Sequence, residues 1–247
     1  MLFKDEGIII SQKKYGENSL IVKVFSRHHG IYCGFVGSVK SMKEKIIFQT
    51  GNLISFEFRC HIEENLGRFL AVDLVRSYCA KIMFERIKLD CVNSLFMIIN
   101  SSFAEREKHE KLFEKLQIFL QQIGEESTGK NFLADYVKLE LKILKTLGYG
   151  IDLSSCVVTN CKTNLAFVSQ KSARAVCFEA GKPYQNKLLK LPNFLTDGLN
   201  EINDEDILNG LRLSRFFLEK FIFEKSEKLL NSRKKLEQNF FAKLSML

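Results

Sequence analysis

Residues 53–60 read Leu53-Ile54-Ser55-Phe56-Glu57-Phe58-Arg59-Cys60. Ile54, Phe56, Phe58 and Cys60 share one face of an extended chain, and Ser55, Glu57 and Arg59 share the other. Such alternation predicts a strand with one face in a core and one in water. Outward from it lie four more short segments of the same kind: 6–14 (EGIIISQKK), 19–26 (SLIVKVFS), 30–37 (GIYCGFVG) and 67–75 (GRFLAVDLV). Each is rich in Ile, Val, Phe or Leu and bounded by Gly, Asn or charged residues. Tyr15-Gly16-Glu17-Asn18 reads as the turn between the first two, and His28-His29-Gly30 as the next. Five strands within residues 1–77 fit a small closed barrel, of which the OB-fold is the five-stranded form.

From Ser77 the period changes. Residues 78–103 and 109–123 carry apolar side chains at three- and four-residue spacing, as in Leu112, Leu116, Phe119 and Ile123. Phe132, Tyr136, Leu139, Ile143 and Leu147 line one side of a third helix over 132–147, with Gly148 and Gly150 suited to stop it. Residues 151–185 lose that periodicity. Leu165–Val168 and Ala175–Phe178 read as strands around a polar tip, closed by Gly181 and Pro183. Residues 204–230 are helical again, and 232–243 form a final basic segment. The expected class is α+β: an N-terminal barrel over 1–77, then a mostly helical domain over 78–247 with an irregular, strand-containing insert at 151–185.

Hydrophobic residues make up 46% of 247, with 22 Phe, enough for a sizeable core. Charged residues at 27% and only two Pro argue against disorder and long linkers. The net charge of +8 and a pI near 9.0 point to a polyanionic partner: nucleic acid, an acidic protein tail or an anionic membrane surface. The basic excess is denser over residues 1–77 than beyond them. No apolar run approaches the ~20 residues of a membrane span. Met1-Leu2-Phe3-Lys4-Asp5-Glu6 has early acids and no apolar signal region, so a soluble, cytoplasmic chain is expected. Seven Cys, an odd number without a paired framework, read as reduced thiols.

Three chemical motifs come close and fall short. Gly124-Glu125-Glu126-Ser127-Thr128-Gly129-Lys130-Asn131 is one residue from a phosphate-binding loop, but Asn131 replaces the Ser or Thr whose hydroxyl ligates Mg²⁺. It also follows an amphipathic helix rather than a strand, and Glu125 and Glu126 repel a triphosphate. Cys156, Cys161 and Cys177 have zinc-like spacing, yet no Cys or His follows to make the fourth ligand of a structural site. They are expected to be small buried thiols, with no metal and no cofactor. His28, His29, His61 and His109 sit in no Ser- or Cys-containing catalytic signature, so nothing points to an enzyme.

The basic residues of the barrel region are more suggestive. Lys13 and Lys14 end the first strand and Arg27 the second. Lys40, Lys43 and Lys45 lie in the loop after the third. Arg59 and Arg68 flank the turn between the last two. In a barrel, strand ends and loops converge on a groove. Basic loops there track a phosphate backbone, and Tyr15, Phe25 or Tyr32 are candidates to stack on bases.

Several stretches resemble the bacterial DNA repair protein RecO family. Leu147-Gly148-Tyr149-Gly150-Ile151-Asp152-Leu153-Ser154-Ser155-Cys156-Val157-Val158-Thr159 is similar to its LGFGLDLSxCAVT segment. Residues 165–176, LAFVSQKSARAV, resemble LxYVSPKSGRAV, and 188–195, LLKLPNFL, resemble LLxLPxFL. Lys14–Val22, KYGENSLIV, is similar to xYGExSLIV. His29-Gly30 and Gly51-Asn52-Leu53 fit as well, so the resemblance runs along nearly the whole chain. Gln170 stands where the family usually has Pro, and Ala173 where it has Gly. Some members carry a four-cysteine zinc site in the insert, and this chain does not keep that set.

The resemblance implies an N-terminal OB-fold and a helical domain with a small zinc-finger-like insert. It implies a recombination mediator of the RecFOR pathway that binds single- and double-stranded DNA and anneals complementary strands. It implies RecR and the acidic-hydrophobic C-terminal tail of single-stranded-DNA-binding protein (SSB) as partners, with help in loading RecA. The residues expected to meet DNA are Lys13, Lys14, Arg27, Lys40, Lys43, Lys45, Arg59 and Arg68. For the SSB tail, an apolar floor with a basic rim is needed, and Leu211, Arg212, Arg215, Phe216 and Lys220 on the helix of residues 206–223 are the candidates. The alternative is an OB-fold RNA-binding or translation-associated protein without annealing activity.

Overall fold

The computed structural model describes residues 1–60, 66–125, 131–196, 202–223 and 227–244. Strands β1 (Leu2–Lys14), β2 (Leu20–Ser26), β3 (Gly30–Val36), β4 (Asn52–Arg59) and β5 (Gly67–Ser77) close a barrel in the order β1-β2-β3-β5-β4. The alternation at 53–60 holds: Ile54, Phe56, Phe58 and Cys60 are buried, Ser55 and Glu57 half-buried, and Arg59 exposed. β1 is long enough to pair twice. Its first half runs along β4, and its second half, past a bulge between Ile9 and Ser11, runs along β2. A bulge bends a strand and tightens its twist, which lets one strand serve two sides of a closed sheet.

The barrel closes at a short seam. Every other pair is antiparallel, but β3 and β5 are parallel and meet at two rungs, Gly34–Gly67 and Phe35–Arg68. Both glycines lie over aromatic rings. A Cβ on Gly67 would sit 2.1 Å from the Phe58 ring, and one on Gly34 2.7 Å from the Phe69 ring. The core beneath is aromatic: Phe58 packs against Tyr32, Phe69 and Phe3 at centroid distances of 4.8, 5.1 and 5.5 Å.

Two local expectations are corrected. The first strand begins at Leu2 rather than at residue 6. The loop after β3 contains a helix, α1 (Met42–Ile47), started by a capping box. Ser41 Oγ accepts from the Glu44 N–H, and the Glu44 carboxylate accepts from the Ser41 N–H.

A 3₁₀ turn at Cys79–Ile82 leads to α2 (Arg86–Ser102) and α3 (Glu110–Gln122), which fall with the barrel in one compact unit, Met1–Glu125. Each helix buries one apolar stripe, Cys91, Val92, Leu95, Phe96, Ile98 and Ile99 on α2 and Leu112, Phe113, Leu116, Phe119 and Leu120 on α3. Phe113 meets Phe25 of β2 edge to face at 5.6 Å. The link before α3 also docks on the barrel: the Arg106 N–H donates to the Ile31 carbonyl at 2.9 Å. Gly30, at φ +86°, lies so close beneath that link that a Cβ would be 2.1 Å from the Glu107 carbonyl oxygen.

The second compact unit, Glu126–Leu247, holds α4 (Asn131–Thr146), a three-stranded sheet, and helices α6 (Asp204–Phe221) and α7 (Glu227–Leu244). α4 ends as expected at Gly148, φ +87°, where the Tyr149 N–H reaches back to the Leu144 carbonyl at 2.8 Å. A buried ionic group ties the three helices. Glu140 of α4 accepts from Arg233 of α7 at 2.7 and 3.1 Å and from the Ser214 hydroxyl of α6 at 2.6 Å. Arg233 also donates to the Leu211 carbonyl and to Glu237. Glu140 and Arg233 are fully buried.

The insert forms a sheet in the order β7-β6-β8 from β6 (Leu165–Ser169), β7 (Ala175–Cys177) and β8 (Leu188–Lys190). The short helix α5 (Phe178–Gly181) and a 3₁₀ stretch link β7 to β8, so the sheet runs past residue 185. Among the described residues, no helix is long and apolar enough to cross a membrane.

Candidate nucleic-acid interface

Several exposed cations of the barrel gather around one run of strand ends and loops, while Arg76 is exposed at the other end of β5. Lys13 and Lys14 are exposed at the end of β1, and Tyr15 follows at 60% exposure. Tyr15 meets the Phe35 ring of β3 edge to face at 6.0 Å. The Arg68 guanidinium lies over the same Phe35 ring, 5.5 Å from its centroid. Arg68 in turn stands directly across from Arg59 in the β4–β5 ladder. The loop leading to α1 joins the same end, because the Val39 N–H donates to the Asn18 carbonyl at 2.7 Å. Lys40, Lys43 and Lys45 are exposed beyond it. Among the described residues, no carboxylate is within ion-pairing distance of Lys13, Lys14, Lys40, Lys43, Lys45 or Arg68, while Arg59 has a loose neighbour in Glu57 at 3.8 Å.

Two like charges opposite each other on adjacent strands repel, by about 0.2–1 kcal/mol. The Arg59–Arg68 rung is therefore a place where an anion is favoured. With Phe35 and Tyr15 beside it, the surface combines cations for phosphates with ring faces for bases. Sequence reasoning missed Phe35. The signal was its position in β3, where Cys33 and Phe35 alternate with the buried Tyr32, Gly34 and Val36.

Other expected residues sit elsewhere. The Arg27 guanidinium donates to Glu6 at 3.0 Å and to Gln117 at 3.1 Å and covers the Phe113 ring at 4.9 Å, so it fastens the barrel to α3. It lines a groove of about 530 Å³ with Lys4 and His28 that is otherwise acidic, with Asp5, Glu6, Glu57 and Asp73. That groove repels phosphate. Burial alone would raise the Asp5 carboxyl, but hydrogen bonds from Ser26, His29 and the His28 and Glu6 N–H groups outweigh it and hold Asp5 below its usual value. Phe25 and Tyr32 are core residues, at 0% and 5% exposure, and are not available for stacking. His61 and the greater part of the Gly124–Asn131 loop, residues 126–130, lie outside the described residues.

On α6 the five candidates divide. Leu211 is fully buried and cannot floor an open groove. Arg215 pairs with Glu237 and Glu219. Phe216 packs on Phe217, and the Lys220 ammonium donates to the Gln170 carbonyl at 2.8 Å. Arg212 is exposed and lines a groove of about 230 Å³ with Lys190, Glu205, Asn209 and the apolar Leu188, Leu189 and Leu208. The apolar lining of this groove comes from Leu188 and Leu189 of β8 and Leu208 of α6, not from Leu211 or Phe216.

The three insert cysteines come together. The Sγ atoms of Cys156, Cys161 and Cys177 lie within 4.8 Å of one another, and no fourth His, Cys, Asp or Glu joins them among the described residues. A closed zinc site takes four ligands, so these residues do not complete one. Thr159 instead turns its hydroxyl toward the group, 3.1 Å from the Cys161 sulfur and 3.5 Å from that of Cys177. Burial pushes the Cys156 thiol up. The Thr159 hydroxyl and the N–H groups of Cys177, Thr159 and Val158 prevail and bring it down to about 6. For Cys161 the Thr159 hydroxyl is outweighed by burial and the neighbouring sulfurs, and the thiol is raised.

Comparison with known proteins joins these observations. The family described as Recombination protein O N terminal matches residues 1–78, and Recombination protein O C terminal matches residues 83–229. The DNA repair protein RecO of Rickettsia conorii is 38% identical over 230 residues, which span 93% of this chain and 94% of that protein. RecO of Rickettsia akari is 38% identical over 224 residues, 90% of this chain and 92% of that protein. A closed five-stranded barrel, a helical remainder with a small sheet, and matches of this length lead to one conclusion: the chain belongs to the RecO family of DNA repair and recombination proteins.

Proposed function

We propose that this chain is a recombination mediator that binds single- and double-stranded DNA and anneals complementary strands without covalent chemistry. The observation that carries the reading is the run of exposed cations and rings on neighbouring strand ends, Lys13, Lys14, Tyr15, Phe35, Arg59 and Arg68, with Lys40, Lys43 and Lys45 exposed on the loop and helix that follow β3; among the described residues these cations are largely without carboxylate partners. Two negatively charged strands repel each other. A surface that neutralises both backbones lowers that barrier, and the associated counterion release makes the affinity fall steeply with salt. Stacking on Tyr15 and Phe35 favours unpaired bases, whose ring faces are open.

The partners follow from the family: RecR, SSB, and RecA indirectly. The groove floored by Leu188, Leu189 and Leu208 has the apolar base that an acidic-hydrophobic SSB tail requires, with Arg212 on its rim and Lys190, bonded to Glu205 at 2.7 Å, beside it. Capture of that tail would hold the mediator on coated strands while the barrel engages bases.

The test is annealing of complementary strands coated with cognate SSB across a salt series. Wild type is run beside a variant in which Lys40, Lys43 and Lys45 are each replaced by Glu. Acceleration without ATP that fades with salt and is lost in the variant supports the reading. No acceleration, with DNA binding no better than that of an unrelated basic protein, defeats it. A preference for structured RNA over single-stranded DNA would move the chain to the RNA-binding alternative.

A further inference from the structure

The insert holds a group of thiols that DNA binding does not use. Two features set it apart from the other four cysteines, and a third makes it reachable. First, its sulfurs are mutually close, within 4.8 Å. Second, backbone donors converge on Cys156: the N–H groups of Val158 and Thr159 lie 3.4 and 3.5 Å from its sulfur, and the Cys177 N–H also points to it. Donors aimed at a sulfur favour the thiolate, the nucleophilic form. Third, the group has an opening, because Cys161 is half-buried while Cys156 and Cys177 are buried.

We infer that Cys156 and Cys161 form a reversible dithiol site that hydroperoxides oxidise to a disulfide. The backbone already brings the two residues together across a tight turn, with the Cys156 N–H donating to the Cys161 carbonyl at 2.8 Å and the Asn160 N–H to the Cys156 carbonyl at 2.9 Å. Cys161, the half-buried member, meets the oxidant, its thiol first giving its proton to solvent. Its sulfur takes one peroxide oxygen as the O–O bond breaks, giving a sulfenic acid and one water. The Cys156 thiolate then attacks that sulfur. The S–S bond forms, the S–O bond breaks, and hydroxide leaves and is protonated by solvent. The balance is two thiols and one hydrogen peroxide giving one disulfide and two waters. A dithiol reductant reverses it by exchange.

A thiophilic metal ion is the competing use of three close sulfurs. The observations favour the redox reading on two grounds. The group supplies three ligands where a closed zinc site needs four. The Thr159 hydroxyl is also bonded to Cys161 and Cys177, and a metal ion held by these sulfurs would have to replace those bonds.

The experiment uses the full chain, reduced and then desalted without oxygen, and treated with hydrogen peroxide near neutral pH. The protein is blocked with maleimide in urea and digested with trypsin. Residues 146–162 form one peptide carrying both Cys156 and Cys161, and Cys177 lies in 175–187, because Pro183 blocks the cut after Lys182. The expected product is an unlabelled 146–162 peptide about 2 Da lighter than its dithiol form, restored by dithiothreitol. Cys33 and Cys79, which lie outside the insert group, remain labelled. Cys177→Ser retains the light peptide, and Cys161→Ser loses it. The inference is overturned if 146–162 stays fully labelled, or if it is instead cross-linked to 175–187. It is equally overturned if the reduced chain carries one equivalent of metal that shields these thiols from maleimide.

Discussion

Replacing Arg68 by Gln separates a binding role from a structural one. Arg68 faces Arg59 across the β4–β5 ladder and covers the Phe35 ring at 5.5 Å. Removing its charge relieves a like-charge repulsion of about 0.2–1 kcal/mol. It also removes a cation–ring contact of about 0.5–1 kcal/mol at an exposed site. The two terms nearly cancel, so folding stability should move by no more than about 0.5 kcal/mol. Binding should respond differently. One lost phosphate contact reduces the slope of log affinity against log salt by about 0.7 on single strands and about 0.9 on duplex. Anisotropy titrations of a labelled single strand over a salt series give that slope, and urea unfolding gives the stability. Arg27→Gln is the matched control. It removes the same charge, but its guanidinium is bonded to Glu6 and Gln117, so it should cost stability and leave the slope unchanged. An Arg68→Gln slope equal to that of wild type, or a stability loss above about 1.5 kcal/mol, would refute the assignment.

Three further outcomes follow from the fold. Arg233→Met leaves the buried carboxylate of Glu140 without its partner and should destabilise the chain by about 3–5 kcal/mol, read as a lower urea midpoint. Ala173→Gly should stabilise by about 1 kcal/mol and raise Tm, because Ala173 sits at φ +55°, where a Cβ is strained. The Asp5 carboxylate is held below its usual value of 3.8. Its hydrogen bonds thus contribute stability above that pH, and the contribution is lost as pH falls through the lowered value. Asp5→Asn should cost about 1–3 kcal/mol at neutral pH, and the gap from wild type should close in acid unfolding below about pH 4.

What was legible in the sequence was what depends on local pattern. β4 could be read from Ile54, Phe56 and Phe58 alone, and the end of α4 from Gly148. The start of β1 was hidden because Lys4, Asp5 and Glu6 look like a polar lead-in. Asp5 is tolerated there only because Ser26, His28 and His29, more than twenty residues away, satisfy it. Helix α1 carried a readable signature, Ser41 with Glu44 three residues on, in a segment taken for loop. On α6 the alternation of Leu211 with Arg212 marked two faces, but the sequence did not tell which side β8 would line. Charge told where the cations are dense, not which are engaged. Arg27 and Lys40 look alike along the chain, and only the pairing of β2 with α3 makes the first a fastener. The cysteines were visible as a set, whereas their meeting required the β6–β7 pairing and a threonine between them.

The two-rung seam of the barrel has a kinetic side. Parallel strands joined at two rungs make the weakest stretch of an otherwise continuous ladder, and local opening proceeds from such stretches. Phe35 and Arg68 are themselves one of those rungs. A nucleic-acid strand lying across both would clamp the barrel shut as it binds, since a ligand that prefers the closed form stabilises it by mass action. Amide exchange at Phe35 and Arg68 would then slow on binding more than exchange along β1 and β2. The site and the latch of the barrel would be one object, so the tightness of the fold and the grip on the strand would rise and fall together.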